Sequence, residues 1–342
     1  MLNSLKFGIV IALYNTEKYI IECLKSILEQ NYPNLEIVIV DDGSVDSSIR
    51  LVEEFSRSND VPIHIIESSH KGAAGARNIG ISKIKDLNCD YVLFLDSDDL
   101  LKGDIFNHIN DVNHSSKEQV ELFLLKQRGF YTNTNLNEKF GSALDKNIDF
   151  VELLRVYFRG DGYRNSLYSA KGAANKIFSI SLLDDTFFDE NLLVCEDQIF
   201  FLSLIEKRNY KLSVVLLGDG VYWYRQRKAS LTHSDNRRSL KLAYYSYWKL
   251  YEKSFYSYDE HGLFLKEVCW WFKNAFKSLE GLERKSFYQK EVRKLRMECL
   301  KRKNISKKTI FSFVCKTFLP YKYFAGVFKK KRMNAKDSFL FD

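Results

Sequence analysis

The sequence predicts an α/β protein: an open, doubly wound, mostly parallel sheet with helices on both faces. Three observations lead there. Apolar, β-branched runs without polar alternation occupy residues 7–13, 35–40, 63–66 and 91–95, as in parallel strands buried on both faces. Between them, apolar residues recur at helical spacing. The resulting order, strand then helix at short intervals, is that of βαβ units, whose ligands lie beyond the carboxyl ends of the strands.

Taken in order, Tyr19, Ile20, Cys23, Leu24, Ile27 and Leu28 mark a first helix, with Thr16 as its expected N-cap and Pro33 beyond its end. Ile49, Val52 and Phe55 mark a second after Asp46, and residues 74–85 a third. Past Asp99 the pattern is mixed. Residues 120–126 read as a strand, 133–147 as a polar loop, and 148–158, 176–183 and 198–207 as helices. Residues 212–217 and 221–224 read as strands around a Gly-Asp-Gly turn, and from about Arg237 the chain reads as all-helical. The expected division is 1–115, a nucleotide-binding half; 116–235, an acceptor half; and 236–342, a basic helical extension.

With 45% hydrophobic and 15% aromatic residues but only 3 prolines and 16 glycines in 342 residues, the composition is that of a folded enzyme rather than a disordered or linker-rich chain. Its 6 scattered cysteines form no Cys-x-x-Cys pair, which argues for free thiols in a reducing cytoplasm rather than disulfides or a zinc site. The apolar run at 7–13 runs straight into a helical pattern without a cleavage signal and reads as a strand, not a signal peptide. Net charge is +8, yet residues 284–342 hold 18 Lys and Arg against 4 Asp and Glu, a net of +14, so the preceding residues carry −6.

Three acidic clusters sit where buried runs end: Asp41-Asp42-Gly43-Ser44, Asp96-Ser97-Asp98-Asp99, and Glu196-Asp197 opening a helix. In a doubly wound sheet the first two share one crevice. Crowded carboxylates repel one another unless a cation compensates them, and Mg²⁺ or Mn²⁺ binds through one or two carboxylates plus nucleotide phosphates. Asp and Ser also favour turns and caps, and acids at a helix start also suit its dipole, so each cluster alone admits a purely structural role. Gly72, Gly75 and Gly80 do not form a dinucleotide fingerprint after the first strand.

Ile11-Ala12-Leu13-Tyr14-Asn15, Asp41 to Asp46, Lys71 to Gly80 and Phe94 to Asp99 together resemble, in order and spacing, the motifs of family 2 glycosyltransferases with the GT-A fold. The resemblance is strong over about 5–100 and weaker to about 232. It implies an inverting glycosyltransferase that moves a sugar from a nucleotide diphosphate, expected to be a UDP-sugar, to an acceptor hydroxyl with Mn²⁺ or Mg²⁺. By the same resemblance, Tyr14 lies against the base and Asp42 bonds its edge; Arg77 and Asn78 line the diphosphate and sugar side; Asp96 reaches the ribose; Asp98, with Asp99 as a second ligand, holds the metal. Asp197, beside Glu196, matches the general base. Arg225 or Arg227 is a candidate for the departing diphosphate, Asn175-Lys176 is similar to a segment near the acceptor, and His233 reads either as a late metal or phosphate contact or as an exposed loop histidine.

Residues 306–332 interleave aromatic side chains with lysines and end in Lys329-Lys330-Lys331-Arg332. They suit an amphipathic helix on anionic lipid, though a helical bundle and RNA binding share the pattern. The expected partners are therefore a nucleotide sugar, a glycan or lipid-linked acceptor, and the cytoplasmic face of a membrane; no nucleic acid is expected. Two rivals stand beside this reading: an inactive nucleotide-sugar-binding relative, and a nucleic-acid binder, which leaves the acidic strand ends without a purpose.

Overall fold

A computed structural model describes residues 4–131, 144–149, 152–153, 156–157, 168, 172–208, 211–226, 237–252 and 263–301. The 306–332 tail, Arg227 and His233 lie outside the described residues, as do most of the polar stretch at 133–147 and parts of the helix expected at 148–158. Two compact units are present, Met1–Ser234 and Asp235–Asp342.

The first unit opens with β1 (Phe7–Leu13), α1 (Ile20–Leu28), β2 (Leu35–Asp41), α2 (Ser48–Arg57), β3 (Ile63–Glu67), α3 (Gly72–Asp86) and β4 (Tyr91–Asp96). It continues with β5 (Leu100–Lys102), α4 (Ile105–Ser115), β6 (Leu122–Phe130), β7 (Lys146–Ile148), β8 (Lys176–Ser179), α5 (Ile180–Leu183), α6 (Glu196–Lys207) and β9 (Val214–Arg225). Among the described residues the strand order is β3-β2-β1-β4-β8-β6-β9-β5, with β7 also paired to β9. Strands β1 to β4 are mutually parallel where they pair, while β8 runs antiparallel to both β4 and β6.

Strand β1 is buried on both faces because each face meets a helix layer. Phe7, Ile9, Ile11 and Leu13 enter a core with Cys23, Leu24, Ile27, Phe106 and Ile109 from α1 and α4. On the other face Gly8 and Val10 receive α3. A Cβ at Gly80 would lie 2.2 Å from Val10 Cγ1, and one at Gly8 would lie 2.2 Å from Ile84 Cδ1, so this close approach requires both glycines.

Four sequence expectations need correction. Residues 176–183 are half strand: Lys176–Ser179 pairs with β4 and β6, and only Ile180–Leu183 is helical. The Gly-Asp-Gly segment is no turn but part of the continuous β9, where the ladder with β6 shifts register between Leu124 and Lys126. The first helix takes Tyr19, not Thr16, as N-cap; the Thr16 carbonyl accepts the amides of Tyr19 and Ile20. Ile148 ends strand β7 rather than starting a helix.

The second unit contains α7 (Arg237–Leu250), α8 (Leu263–Ser278) and α9 (Gly281–Lys301). Its core is aromatic: Tyr244, Phe272 and Phe287 meet edge-to-face or stacked at 5.4–5.8 Å between centroids. Buried Glu291 accepts the hydroxyls of Tyr244 and Tyr245, each at 3.1 Å. No helix among the described residues is long and apolar enough to cross a membrane.

Candidate active site

Strand register brings the acidic clusters together. Leu13 at the end of β1 pairs with Asp41 on one side, and Ala12 pairs with Asp96 on the other. With neighbouring strands about 4.8 Å apart, the ends of β2 and β4 lie roughly 10 Å from each other across β1. The three loops beyond these strands are bonded to one another. Asn15 N–H donates to Ser44 Oγ, Asn15 Oδ1 accepts Val45 N–H, Thr16 N–H donates to Ser48 Oγ, and Thr16 Oγ1 bonds Ser97 Oγ.

Asp42 is buried (4% exposed), and its carboxylate caps α3 from a distance: Oδ1 accepts Lys71 N–H at 2.7 Å and Oδ2 accepts Gly72 N–H at 2.8 Å. A carboxylate at a helix N-terminus is stabilised there by the unpaired amides. His70, in the left-handed region at φ 53°, places Nδ1 at 2.9 Å from the Asp42 carbonyl and its ring 4.9 Å from that of Tyr14. Tyr14 is 44% exposed, so an aromatic pair stands open at the crevice beside Asp42. The sequence reading did not find His70; its left-handed turn before Gly72 is set by the cap and leaves no periodic signal.

Arg77 joins the first half of the sheet to α6. Its guanidinium donates to Asp96 Oδ1 at 2.9 Å and to Glu196 Oε1 at 3.0 Å while lying 5.4 Å over the Phe188 ring. Burial lowers the Arg77 pKa, but Asp96, Glu196 and Asp197 outweigh it and the net shift is upward, so the cation is fixed. Burial raises the Glu196 pKa, Asp197 adds to the rise, and Arg77 opposes it. Asp197 is likewise raised by burial against the pull of Arg77. Preceding them, Cys195 sits in the left-handed region at φ 58° and turns the chain into α6.

Three of the expected residues are engaged differently. Asn78 does not face the crevice with a free amide: it donates to the Phe188 carbonyl at 3.0 Å and to Glu190 Oε1 at 3.1 Å, and accepts Phe188 N–H at 2.8 Å. It therefore pins the loop before α6 to α3. Asp99 is fully buried, with Oδ2 accepting the Tyr222 hydroxyl and Oδ1 accepting Arg225 N–H, each at 2.7 Å. Burial, then Asp96 and Asp98, hold its pKa well above the carboxylate range, and both of its oxygens anchor β9. Arg225 is buried rather than directed at a diphosphate. It donates to the Asp98 carbonyl at 2.7 Å and to Glu22 at 2.6 Å, and lies 4.4 Å over Phe130. Asp98 itself is 8% exposed on the loop that Arg225 holds. Among the described residues no three His, Cys, Asp or Glu side chains are grouped to hold a metal by themselves.

The sequence profile of Glycosyl transferase family 2 matches residues 8–150. The glycosyltransferase GlyG of Streptococcus pneumoniae is 42% identical over 234 residues, covering 67% of this chain and 73% of GlyG. The minor teichoic acid biosynthesis protein GgaA of Bacillus subtilis is 29% identical over 74% of this chain. The chain spans 55% of the length of GgaA and 32% of that of the pneumococcal glycosyltransferase GlyA. Residues 1–349 of Staphylococcus aureus TarS, solved in complex with UDP, share the GT-A fold with a TM-score of 0.62 at 18% identity, covering 99% of this chain and 94% of that one. By the profile match and the identity to GlyG over most of both chains, this chain belongs to glycosyltransferase family 2.

Proposed function

We propose that the chain transfers a sugar from a UDP-sugar to an acceptor hydroxyl with inversion at the anomeric carbon, assisted by Mn²⁺ or Mg²⁺. The observation that carries this reading is the joined acidic crevice, in which Asp42 and Asp96 flank the end of β1 and Arg77 ties Asp96 to the Glu196-Asp197 start of α6. Staphylococcus aureus TarS, named a poly(ribitol-phosphate) β-N-acetylglucosaminyltransferase, has also been solved with UDP-GlcNAc. That supports a UDP-sugar donor and a surface-glycan acceptor here.

The open Tyr14–His70 pair gives the uracil a face to stack on, with Asp42 beside it for the base edge. The donor set fits a hard divalent cation: Asp96 and Asp98 sit together at the end of β4, where crowded carboxylates favour a compensating cation. Asp98 would hold the ion, with phosphate oxygens and water completing its sphere and Asp96 reaching the ribose. Bound there, the cation would supply charge stabilisation for the departing diphosphate. Asp197 accepts the proton of the acceptor hydroxyl while that oxygen bonds the anomeric carbon and the bond from that carbon to the diphosphate breaks. Attack opposite the leaving group inverts the centre. Arg77 fixes the spacing between the donor-side and acceptor-side carboxylates.

The basic residues at 306–332 support a peripheral seat on anionic lipid at the cytoplasmic face, where a lipid-linked or surface-polysaccharide precursor is reached. The reading is tested by measuring UDP release from UDP-GlcNAc with Mn²⁺ in the wild type and Asp197→Asn. Turnover in the variant should fall at least about a hundredfold with donor affinity unchanged, the scale of a lost general base. Undiminished turnover would refute the assignment of Asp197.

A further inference from the structure

Two buried features that the mechanism above does not use converge on Asp197. The first is Lys176, fully buried on β8. Its ammonium donates to Asn175 Oδ1 at 3.2 Å and lies 5.0 Å over the ring of Phe201. Phe201 and Asp197 are four residues apart on α6 and therefore share one face of that helix. The Lys176 ammonium is thus held on the face that carries Asp197 one turn nearer the N-terminus. The second is Gly172, at φ 89°, where a Cβ would lie 2.6 Å from Asp197 Oδ2. The turn leading into β8 therefore packs its backbone directly against the carboxylate. Asn175, left-handed at φ 54°, donates from Nδ2 to the Leu125 carbonyl at 3.0 Å and locks that turn to β6.

Leaving an amine without a carboxylate bonded to it inside a core is costly, and a methionine would fill the same volume more cheaply. Burial lowers the Lys176 pKa to about 7, and Asp197 is the group that opposes the fall. The charged groups bearing on Asp197 are Lys176 from β8, Arg77 from α3, Asp96 from β4 and Glu196 beside it on α6.

We propose that Lys176 is a positioning residue for the acceptor-side carboxylate: its buried ammonium, presented by the Gly172–Lys176 turn, holds Asp197 ionised and oriented to take the acceptor's proton. Arg77 hydrogen-bonds Asp96 and Glu196 and acts on Asp197 through space, and Lys176 adds a second positive charge from β8. This inference rests on Asp197 being the base, but it can fail separately.

The experiment is a pH titration of the full chain carrying ¹³C-labelled aspartate carboxyls, with the resonance lost in Asp197→Asn taken as Asp197. In the wild type that resonance should show a second inflection near pH 7 as Lys176 loses its proton. In Lys176→Met the inflection should vanish and the Asp197 midpoint should rise by about one unit, the scale of losing one nearby opposite charge. In parallel, Lys176→Met should lose at least about tenfold in kcat for UDP release from UDP-GlcNAc, with the acidic limb of its pH profile displaced upward and KM for the donor unchanged. A single inflection in the wild type, or an Asp197 midpoint unmoved by Lys176→Met, overturns the proposal. If instead the two groups are coupled but Asp197→Asn turns over normally, the base assignment falls while the electrostatic pairing stands.

Discussion

Replacing Arg77 by methionine should destabilise the protein by about 3 kcal/mol, the lower part of the range for breaking a buried ion pair by removing one partner. The estimate follows from the surroundings. The Arg77 side chain is 11% exposed and Glu196 17%, so Glu196 would be left ionisable without a counter-charge in a largely dry position. Asp96 is more open, at 35%, and water can partly replace the lost bond there, which keeps the figure from the upper end. Methionine retains contact with the Phe188 ring, so little of the loss comes from packing. Urea denaturation followed by tryptophan fluorescence would measure the change as a lower midpoint at constant slope. Adding Glu196→Gln to Arg77→Met should recover 1–2 kcal/mol on the order of a hydrogen-bonded buried charge, because the uncompensated carboxylate is then gone. A loss below about 1 kcal/mol for Arg77→Met, or strict additivity of the two changes, would refute the idea that this cation joins α3 to α6.

Asn78→Ala should cost about 2–3 kcal/mol by leaving the Phe188 amide and carbonyl unpaired, yet change donor KM less than twofold, as enzyme kinetics and denaturation on the same variant would show. Lys176, depressed to about 7 in the folded state from 10.5, contributes stability that is present above its unfolded pKa and is lost as pH falls through about 7. Stability should therefore rise by a few kcal/mol between about pH 7 and 9.5, and denaturation curves of Lys176→Met should show that rise flattened. Removing residues 306–342 should weaken co-sedimentation with phosphatidylglycerol vesicles in low salt, and equal binding by both forms would exclude the tail from membrane contact.

The parallel half of the fold was readable because its strands are uninterrupted β-branched runs and its helices have regular apolar spacing. Recognition faltered where tertiary pairing outweighs local pattern. Residues 176–183 carry Ile177, Phe178, Ile180, Leu182 and Leu183 at intervals that suit a helix, but pairing with β4 and β6 draws the first four residues into the sheet. Strand β5 is three residues long and offers no period to detect, and α4 follows it directly behind Gly103.

The same distinction governs the site. Acidic clusters at strand ends announced themselves because the parallel-sheet rule converts sequence position into a shared crevice. What each carboxylate bonds was not legible. Asp99 is claimed by Tyr222 and Arg225, more than a hundred residues away, and Asn78 by the backbone of Phe188. His70, a lone histidine two residues before Gly72, left no usable trace, and Asn175-Lys176 is marked only by its similarity to an acceptor-side segment, with no sign of what Lys176 faces.

The central claim is that the acidic strand ends grip a nucleotide diphosphate through a divalent cation. Isothermal titration of UDP into the protein, with and without Mn²⁺, tests it most directly when repeated on Asp98→Asn. The account predicts that Mn²⁺ tightens UDP binding at least about tenfold in the wild type and has no effect on the variant, a difference of about 1.4 kcal/mol or more. Binding that is equally tight in both proteins, or indifferent to the metal in the wild type, would contradict it.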